Sequence, residues 1–299
     1  MSSTRLDLSS YKHLWPNSNF SRQELVGKLS WHFQKNTHRS SEVPKILLLH
    51  GAGSATHTWR DILLPMSEWA EFVAVDLPGH AFTGLCVDQR SIDEEPLSIN
   101  AMGHELHELL SHLEFKPNVI VGHSAGGAIA AQMVFSGLLN PKLIVGLNPA
   151  WTAYSGASGF ILTSIAKAVS ATPLVPFIFA SIFDKTHLGD LLVHNTASKI
   201  DQNGLDLYKI LTSNAVHIRG VTQMMASWDL SELSSRLSKI NCEVKVILGE
   251  NDRIVNPKDS LDNACRFKNY EVIVQPGLGH LSHEENPLNT LNILKGWTC

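Results

Sequence analysis

The sequence predicts an α/β fold built on a mostly parallel sheet, and three observations carry that prediction. Short apolar runs recur along the chain with continuous rather than alternating hydrophobicity, which marks strands buried on both faces. Helix-compatible stretches separate several of these runs, giving the alternation of strand and crossover that winds right-handedly. One interval, of about 95 residues between two late runs, far exceeds the dozen or so residues that a crossover needs. It marks an insertion.

In chain order, Gln23 to Gln34 (QELVGKLSWHFQ) alternates around Gly27 and predicts an antiparallel hairpin at the sheet edge. The core strands follow as Lys45 to Leu49 (KILLL), Phe72 to Val75, Asn118 to Val121, Lys142 to Leu147, Val244 to Leu248 and Tyr270 to Val274, each bounded by Gly, Pro or Asn. Helices are predicted over Trp59 to Trp69, Asn100 to Leu113, Ala125 to Leu139 and Asp259 to Arg266. Within the long interval, Val221 to Leu237 serves as the ordinary crossover helix. The domain organisation is therefore a core formed by 1–150 and 221–299, with a helical cap over 151–220.

Composition narrows the function classes. Only 17% of the 299 residues are charged, against about 25% in ordinary soluble proteins. Residues 118 to 183 hold only Lys142 and Lys167, so much of the deficit falls on the expected sheet core and the first part of the cap. The net charge of -4 offers no basic stripe, so no nucleic-acid partner is expected. Four scattered cysteines form no metal-ligand spacing, which fits a reducing compartment and predicts neither metal nor cofactor. The first twenty residues lack an apolar leader, and the apolar runs of Trp151 to Phe183 are too short to span a bilayer. A cytoplasmic chain is expected, its greasy cap compatible with weak membrane association.

Chemistry concentrates in one segment. Gly122-His123-Ser124-Ala125-Gly126 matches G-x-S-x-G directly after a buried strand and before a helix, the context that gives the pattern its meaning. Gly122 and Gly126 remove the side chains that would collide with a serine held on so sharp a turn. A serine hydroxyl needs a base to take its proton and a third group to orient that base. The order expected in such a fold is serine, acid, histidine. The last predicted strand leads into Gln-Pro-Gly-Leu-Gly-His280, and the one before it into Gly-Glu-Asn-Asp252; both loops lie at C-terminal strand ends, where a parallel sheet places its site. Glu250 is the alternative acid. No carboxylate follows the strand ending at Leu147, where Asn148 and Pro149 stand.

Fifteen histidines make residue type alone a weak guide. His123 sits in the elbow with its side chain directed away from that of Ser124, and His283 and Glu284 are expected to pack locally. Backbone N–H groups of Ala125, at the positive end of its helix, and of Ala52 in His50-Gly51-Ala52-Gly53 are the expected oxyanion donors. Substrate-pocket candidates are His123, the cap residues Phe160 and Phe177, and Met224, Met225 and Trp228 where the cap rejoins the core. Methionine and aromatic side chains there suit an adaptable apolar pocket.

Across about 43 to 299 the motifs His50-Gly51-Ala52-Gly53, Asp76-Leu-Pro-Gly-His80, Gly122-x-Ser124-x-Gly126, Gly249-x-x-Asp252 and Gly279-His280 resemble the α/β-hydrolase superfamily. Trp15-Pro-Asn, Ser21-Arg22, Trp31-His-Phe-Gln34, Ala55 to Arg60, Met224 to Leu230 and Gly277 to Glu285 resemble, more narrowly, the magnesium-chelatase accessory proteins of bacteriochlorophyll synthesis. The superfamily resemblance implies a triad of Ser124, Asp252 and His280. Serine in the elbow, rather than aspartate, speaks against dehalogenase and epoxide-hydrolase chemistry. Ala81 stands where many relatives have glycine and is expected only to stiffen its turn. Three functions follow as expectations: a serine hydrolase acting on an ester of a lipophilic substrate, a tetrapyrrole-binding accessory protein working with magnesium chelatase, or a carbon–carbon bond hydrolase.

Overall fold

The computed structural model describes residues 5–40, 42–85, 97–152, 176, 178, 180–181 and 188–299. Among them runs a single sheet of nine strands: β1 (Ser21–Val26), β2 (Leu29–Lys35), β3 (Lys45–Leu49), β4 (Glu71–Val75), β5 (Gly84–Leu85), β6 (Val119–His123), β7 (Leu143–Leu147), β8 (Glu243–Gly249) and β9 (Tyr270–Gln275). Their order is β1-β2-β4-β3-β6-β7-β8-β9, with β5 pairing β2. From β4 to β9 every pairing is parallel, and the edge hairpin β1/β2 is antiparallel, turning at Gly27 with φ 58°.

Alternation along the buried strands divides the core between the two faces of the sheet. Leu47, Leu49, Ile120, Ile144, Val246 and Leu248 pack on one side against Met102, Leu106 and Ile129. Ile46, Leu48, Val121, Val145, Leu147 and Ile247 pack on the other against Trp59, Leu63 and Leu294. Both layers are apolar because the central strands β3, β4, β6, β7 and β8 are covered on both faces, which is why their runs read as continuous in the sequence; the edge strand β9 is largely exposed, with Tyr270 and Val274 in solvent.

Helices form where caps allow them. Ser98 Oγ accepts the N–H of Ala101 at the start of Ile99–His112, and Asn256 Oδ1 accepts that of Lys258 at the start of Pro257–Ala264. Two expected helices differ. The Trp59 to Trp69 segment is a 3₁₀ turn, Thr56–Trp59, followed by a single helical turn, Leu63–Met66; Pro65 has no N–H and fits only the first turn of a helix. The crossover expected over Val221 to Leu237 is instead Ala215–Ser227, a break, and Ser231–Ser235. Trp228 is extended there, and Asp229 accepts the N–H of Ser231 at 2.9 Å, a local turn that competes with the helix. The helix Ala215–Ser227 runs without interruption across the 220/221 boundary expected between cap and core.

Ala81 does more than stiffen a turn: its φ of 42° places an alanine in the left-handed region, where a Cβ is strained by roughly 1–2 kcal/mol. Asp76 organises the same loop. Its carboxylate meets His32 Nδ1 at 2.7 Å and accepts the N–H of Thr56 at 2.7 Å, and His32 Nε2 meets Ser21 Oγ at 3.0 Å. This chain of serine, histidine and aspartate is buried and pins the edge hairpin to the loop after β4.

Gly126 brings the elbow helix Ala125–Phe135 against β3. A Cβ built there would lie 2.1 Å from the Leu49 carbonyl oxygen, a backbone atom with nowhere to move. Gly126→Ala is therefore expected to destabilise by about 3 kcal/mol or more, read as a lowered urea midpoint; an unchanged midpoint would mean the helix tolerates displacement.

Candidate active site

Register places the chemistry. Leu49 pairs with Gly122, so the loop leaving β3 begins beside the turn leaving β6. Ser124, on that turn, has φ 50° and ψ -114°, a strained backbone for a residue with a Cβ. Its neighbours hold it there: Ser124 N–H donates to Leu147 O, and its own carbonyl accepts from Gly127 and Ala150, all at 3.0 Å. A Cβ at Gly122 would lie 2.5 Å from the backbone of Gly126, which explains both glycines of the motif.

His280 and Asp252 come from the loops after β9 and β8. Asp252 Oδ2 meets His280 Nδ1 at 2.7 Å. The same oxygen accepts from Asn148 Nδ2 at 2.8 Å, and Oδ1 accepts the N–H groups of Ile254 and Val255 at 2.7 and 3.0 Å. Four donors thus fix one buried carboxylate. With its hydrogen on Nδ1 facing Asp252, the imidazole presents Nε2 as its basic nitrogen. Glu250 goes elsewhere: it is exposed and accepts the N–H of Gly277 at 2.9 Å.

Asn148 is a residue that the sequence does not single out, since it stands after β7 where a carboxylate is absent. Held at φ 46°, it donates to Asp252 and accepts from Ser282 Oγ at 2.9 Å. The signal was its place at a C-terminal strand end beside the elbow. Asn148→Ala removes a hydrogen bond to a charged group and is expected to cost about 2–3 kcal/mol of stability, together with a slower reaction of Ser124 toward active-site probes. Equal urea midpoints for the two proteins would contradict this.

Ser124 and His280 open onto one cavity of about 300 Å³, whose apolar walls include Leu192, Val193, Ile218, Val221, Ile254 and Leu281. His123 and Ala52 also line it. Ala125 begins the elbow helix, so its N–H has no acceptor within the helix. Gly53 at φ 76° turns the β3 loop toward the elbow. The other pocket candidates divide. Met224 is corrected to the core, only 1% exposed among residues such as Met102 and Leu233. Trp228 is likewise corrected: it packs at the margin of that core and donates from Nε1 to Leu97 O at 2.9 Å. Met225 is half-buried and does not line the cavity. The first half of their helix, through His217, Ile218, Val221 and Thr222, forms the wall, and its second half runs past it. Phe160 and Phe177 lie outside the described residues.

Segment 196–198, within the expected cap, holds the His280 loop: His280 N–H donates to Thr196 O at 3.1 Å, and Leu281 N–H to Ser198 Oγ at 2.8 Å. Tyr208, which lines the cavity, donates to Glu284 at 2.7 Å, and the carboxylate also binds Thr58 and Arg60. Burial raises the pKa of Glu284 and, more strongly, that of Tyr208.

Histidines crowd this region. Burial lowers His50 to about 4 and His80 and His217 to about 3, and takes His57, His123 and His283 well below the ordinary value. All six are neutral at pH 7. Hydrogen bonds assign two tautomers: His50 Nε2 accepts the N–H of Leu77 and Nδ1–H donates to Gly51 O, whereas His217 Nδ1 accepts from Ala81 and Nε2–H donates to Gly53 O. These rings shape the β3 loop through neutral hydrogen bonds. Among the described residues no group of three or more His, Cys, Asp or Glu could hold a metal ion.

The fold and the elbow place this chain in a known family. It belongs to the alpha/beta hydrolase family, whose model matches residues 46–292. It is 31% identical to the magnesium-chelatase 30 kDa subunit of Rhodobacter capsulatus, over 90% of this chain and 91% of that one. Monoacylglycerol lipase ABHD6 of Homo sapiens is 23% identical over 86% of this chain and 75% of its own length. Among solved structures, a candidate lipase from Acinetobacter baumannii superimposes with a TM-score of 0.77 at 16% identity, covering 99% of this chain and 97% of that one. No helix among the described residues is long and apolar enough to cross a membrane.

Proposed function

We propose that the protein is a serine hydrolase acting on an ester-type bond of a lipophilic substrate. The observation that carries this reading is the strained elbow serine, Ser124, opening onto the same cavity as a histidine whose Nδ1 is held 2.7 Å from a four-donor carboxylate. In the proposed mechanism His280 Nε2 takes the Ser124 proton as Oγ attacks the ester carbonyl. Asp252 orients the ring and stabilises its charged form, and the N–H groups of Ala52 and Ala125 receive the oxyanion. His280 then gives its proton to the leaving alcohol, and a water activated by the same nitrogen releases the acid. The cavity volume lies at the low end of the roughly 300–1,000 Å³ of small-ligand sites, and its apolar walls favour a single lipophilic arm.

A fluorophosphonate probe tests this. It is expected to label the native protein at Ser124 and to spare Ser124→Ala; a native protein that stays unlabelled overturns the reading.

A second reading rests on the chelatase relative: a tetrapyrrole-binding accessory to magnesium chelatase, with hydrolysis incidental. The two separate on one comparison. If Ser124→Ala stimulates a chelatase as well as the native protein does and binds porphyrin equally, the accessory role stands without the hydrolase chemistry. A carbon–carbon bond hydrolase would use the same three residues on a diketone, and a panel of esters and diketones distinguishes it.

A further inference from the structure

Three loops must hold their relative positions for the proposed chemistry: the β3 loop at Gly51, the elbow at Ser124, and the loop carrying His280. One side chain touches all three. His123, the residue before Ser124, is buried, and its Nε2 lies 3.0 Å from the backbone carbonyl of His280. A carbonyl only accepts, so Nε2 carries the hydrogen. On its other side the ring abuts Gly51 so closely that a Cβ there would lie 2.8 Å from His123 Nδ1 and 3.1 Å from Ser124 Cβ. The ring also packs against two histidines of the last loop, with centroids 4.8 Å from His280 and 4.5 Å from His283. His123 Nδ1 is buried with no hydrogen-bond partner, as expected of the bare nitrogen in the Nε2–H tautomer.

We infer that His123 is a positioning residue, whose Nε2–H fixes the His280 main chain against the elbow and thereby sets the distance between His280 and Ser124. Asp252 controls how the His280 ring turns; His123 controls where its backbone stands. The two constraints differ, because the hydrogen bond from Asp252 would follow a displaced loop only by bending. The packing at Gly51 extends the same register to the loop bearing Ala52. The elbow position therefore takes a side chain with a donor four bonds from Cα and a flat body that fits between Gly51 and His283. This inference rests on the hydrolase reading, since it concerns the same serine.

The test compares His123→Phe, which keeps a flat ring and loses the donor, with His123→Gln, which keeps an N–H at the reach of Nε2. Both are measured for fluorophosphonate labelling rate, for kcat and KM on the best ester, and for thermal midpoint. The Phe variant is expected to label and turn over about ten- to a hundredfold more slowly with little change in KM, the size expected for misplacing reacting groups by a fraction of an ångström to an ångström. The Gln variant is expected to recover most of the rate. A Phe variant as fast as the native protein, or a Gln variant as slow as Phe, overturns the inference. Should the Phe variant not fold, nitrogen NMR of ring-labelled histidine in the native protein decides. His123 is expected neutral with its hydrogen on Nε2, and the Nδ1–H tautomer overturns the proposal. A native protein that the probe never labels is the separate failure of the hydrolase reading itself.

Discussion

Ser124→Ala is expected to remove all probe labelling and to lower kcat on the best ester by about a millionfold, with the fold intact. The size follows from the roles assigned above: without the hydroxyl, Nε2 of His280 has no proton to take and no acyl-enzyme forms. Stability should change by less than about 1 kcal/mol, because alanine occupies the same left-handed backbone and one oxygen at the edge of a cavity is lost. His280→Ala is expected to match it in rate, though it also takes one hydrogen-bond partner from the buried Asp252 carboxylate. Asp252→Ala differs in kind. It leaves the Asn148 amide, the N–H groups of Ile254 and Val255 and the His280 ring without their acceptor, so a loss of stability accompanies the loss of rate. Asp252→Asn keeps the shape and one acceptor oxygen, and is expected to slow the reaction roughly ten-thousandfold with a smaller loss of stability than Asp252→Ala. Residual turnover of Ser124→Ala within tenfold of the native protein would place the chemistry on another group.

Acid should unfold this protein earlier than carboxylate titration alone would. His50, His80 and His217 are neutral in the folded chain, with pKa values of about 4, 3 and 3, whereas an unfolded histidine takes up a proton below about 6.5. Between these limits the unfolded state binds more protons, so stability rises with pH and falls on acidification. Each such histidine removes up to about 1.4 kcal/mol per pH unit at full slope. His57, His123 and His283 shift in the same direction. Glu284 opposes them, since its raised pKa means that acid relieves the penalty of burying its charge. Asp76, lowered to about 2, adds its own loss only below the carboxylate range near 3.8. Three histidines together remove about 4 kcal/mol per pH unit below about 6.5, so a stability of about 5–10 kcal/mol is exhausted between about pH 5 and 4. Urea midpoints at stepped pH measure the slope. Stability that stays flat from pH 7 down to 4.5 would show that the rings are hydrated in the folded protein.

The elements most legible in the sequence were those whose local pattern has one meaning. Strand runs, the Gly27 hairpin and the G-x-S-x-G turn are read from adjacent residues, and the structure forms a strand or turn at each, although the last run, Tyr270 to Val274, is an exposed edge strand rather than a buried one. Helix limits were less legible where one residue decides them, as at Pro65 and at the Asp229 turn. The pocket was the hardest to foresee. Met224, Met225 and Trp228 have side chains that suit a pocket, but whether a residue on this segment meets a cavity or the core depends on how far the cavity extends along the helix axis. The cavity meets this helix through His217, Ile218, Val221 and Thr222, and no periodicity announces where it stops.

The sequence by itself determined the sheet and the glycines that make the elbow possible, because both follow from neighbouring residues and backbone sterics. Only the tertiary structure decided that Asn148 anchors Asp252, that His123 bridges the elbow to the His280 loop, and that six neutral histidines pack around the site. Those contacts join residues from strands far apart in the chain, and their distances exist only once parallel pairing has aligned the C-terminal ends of β3, β6, β7, β8 and β9.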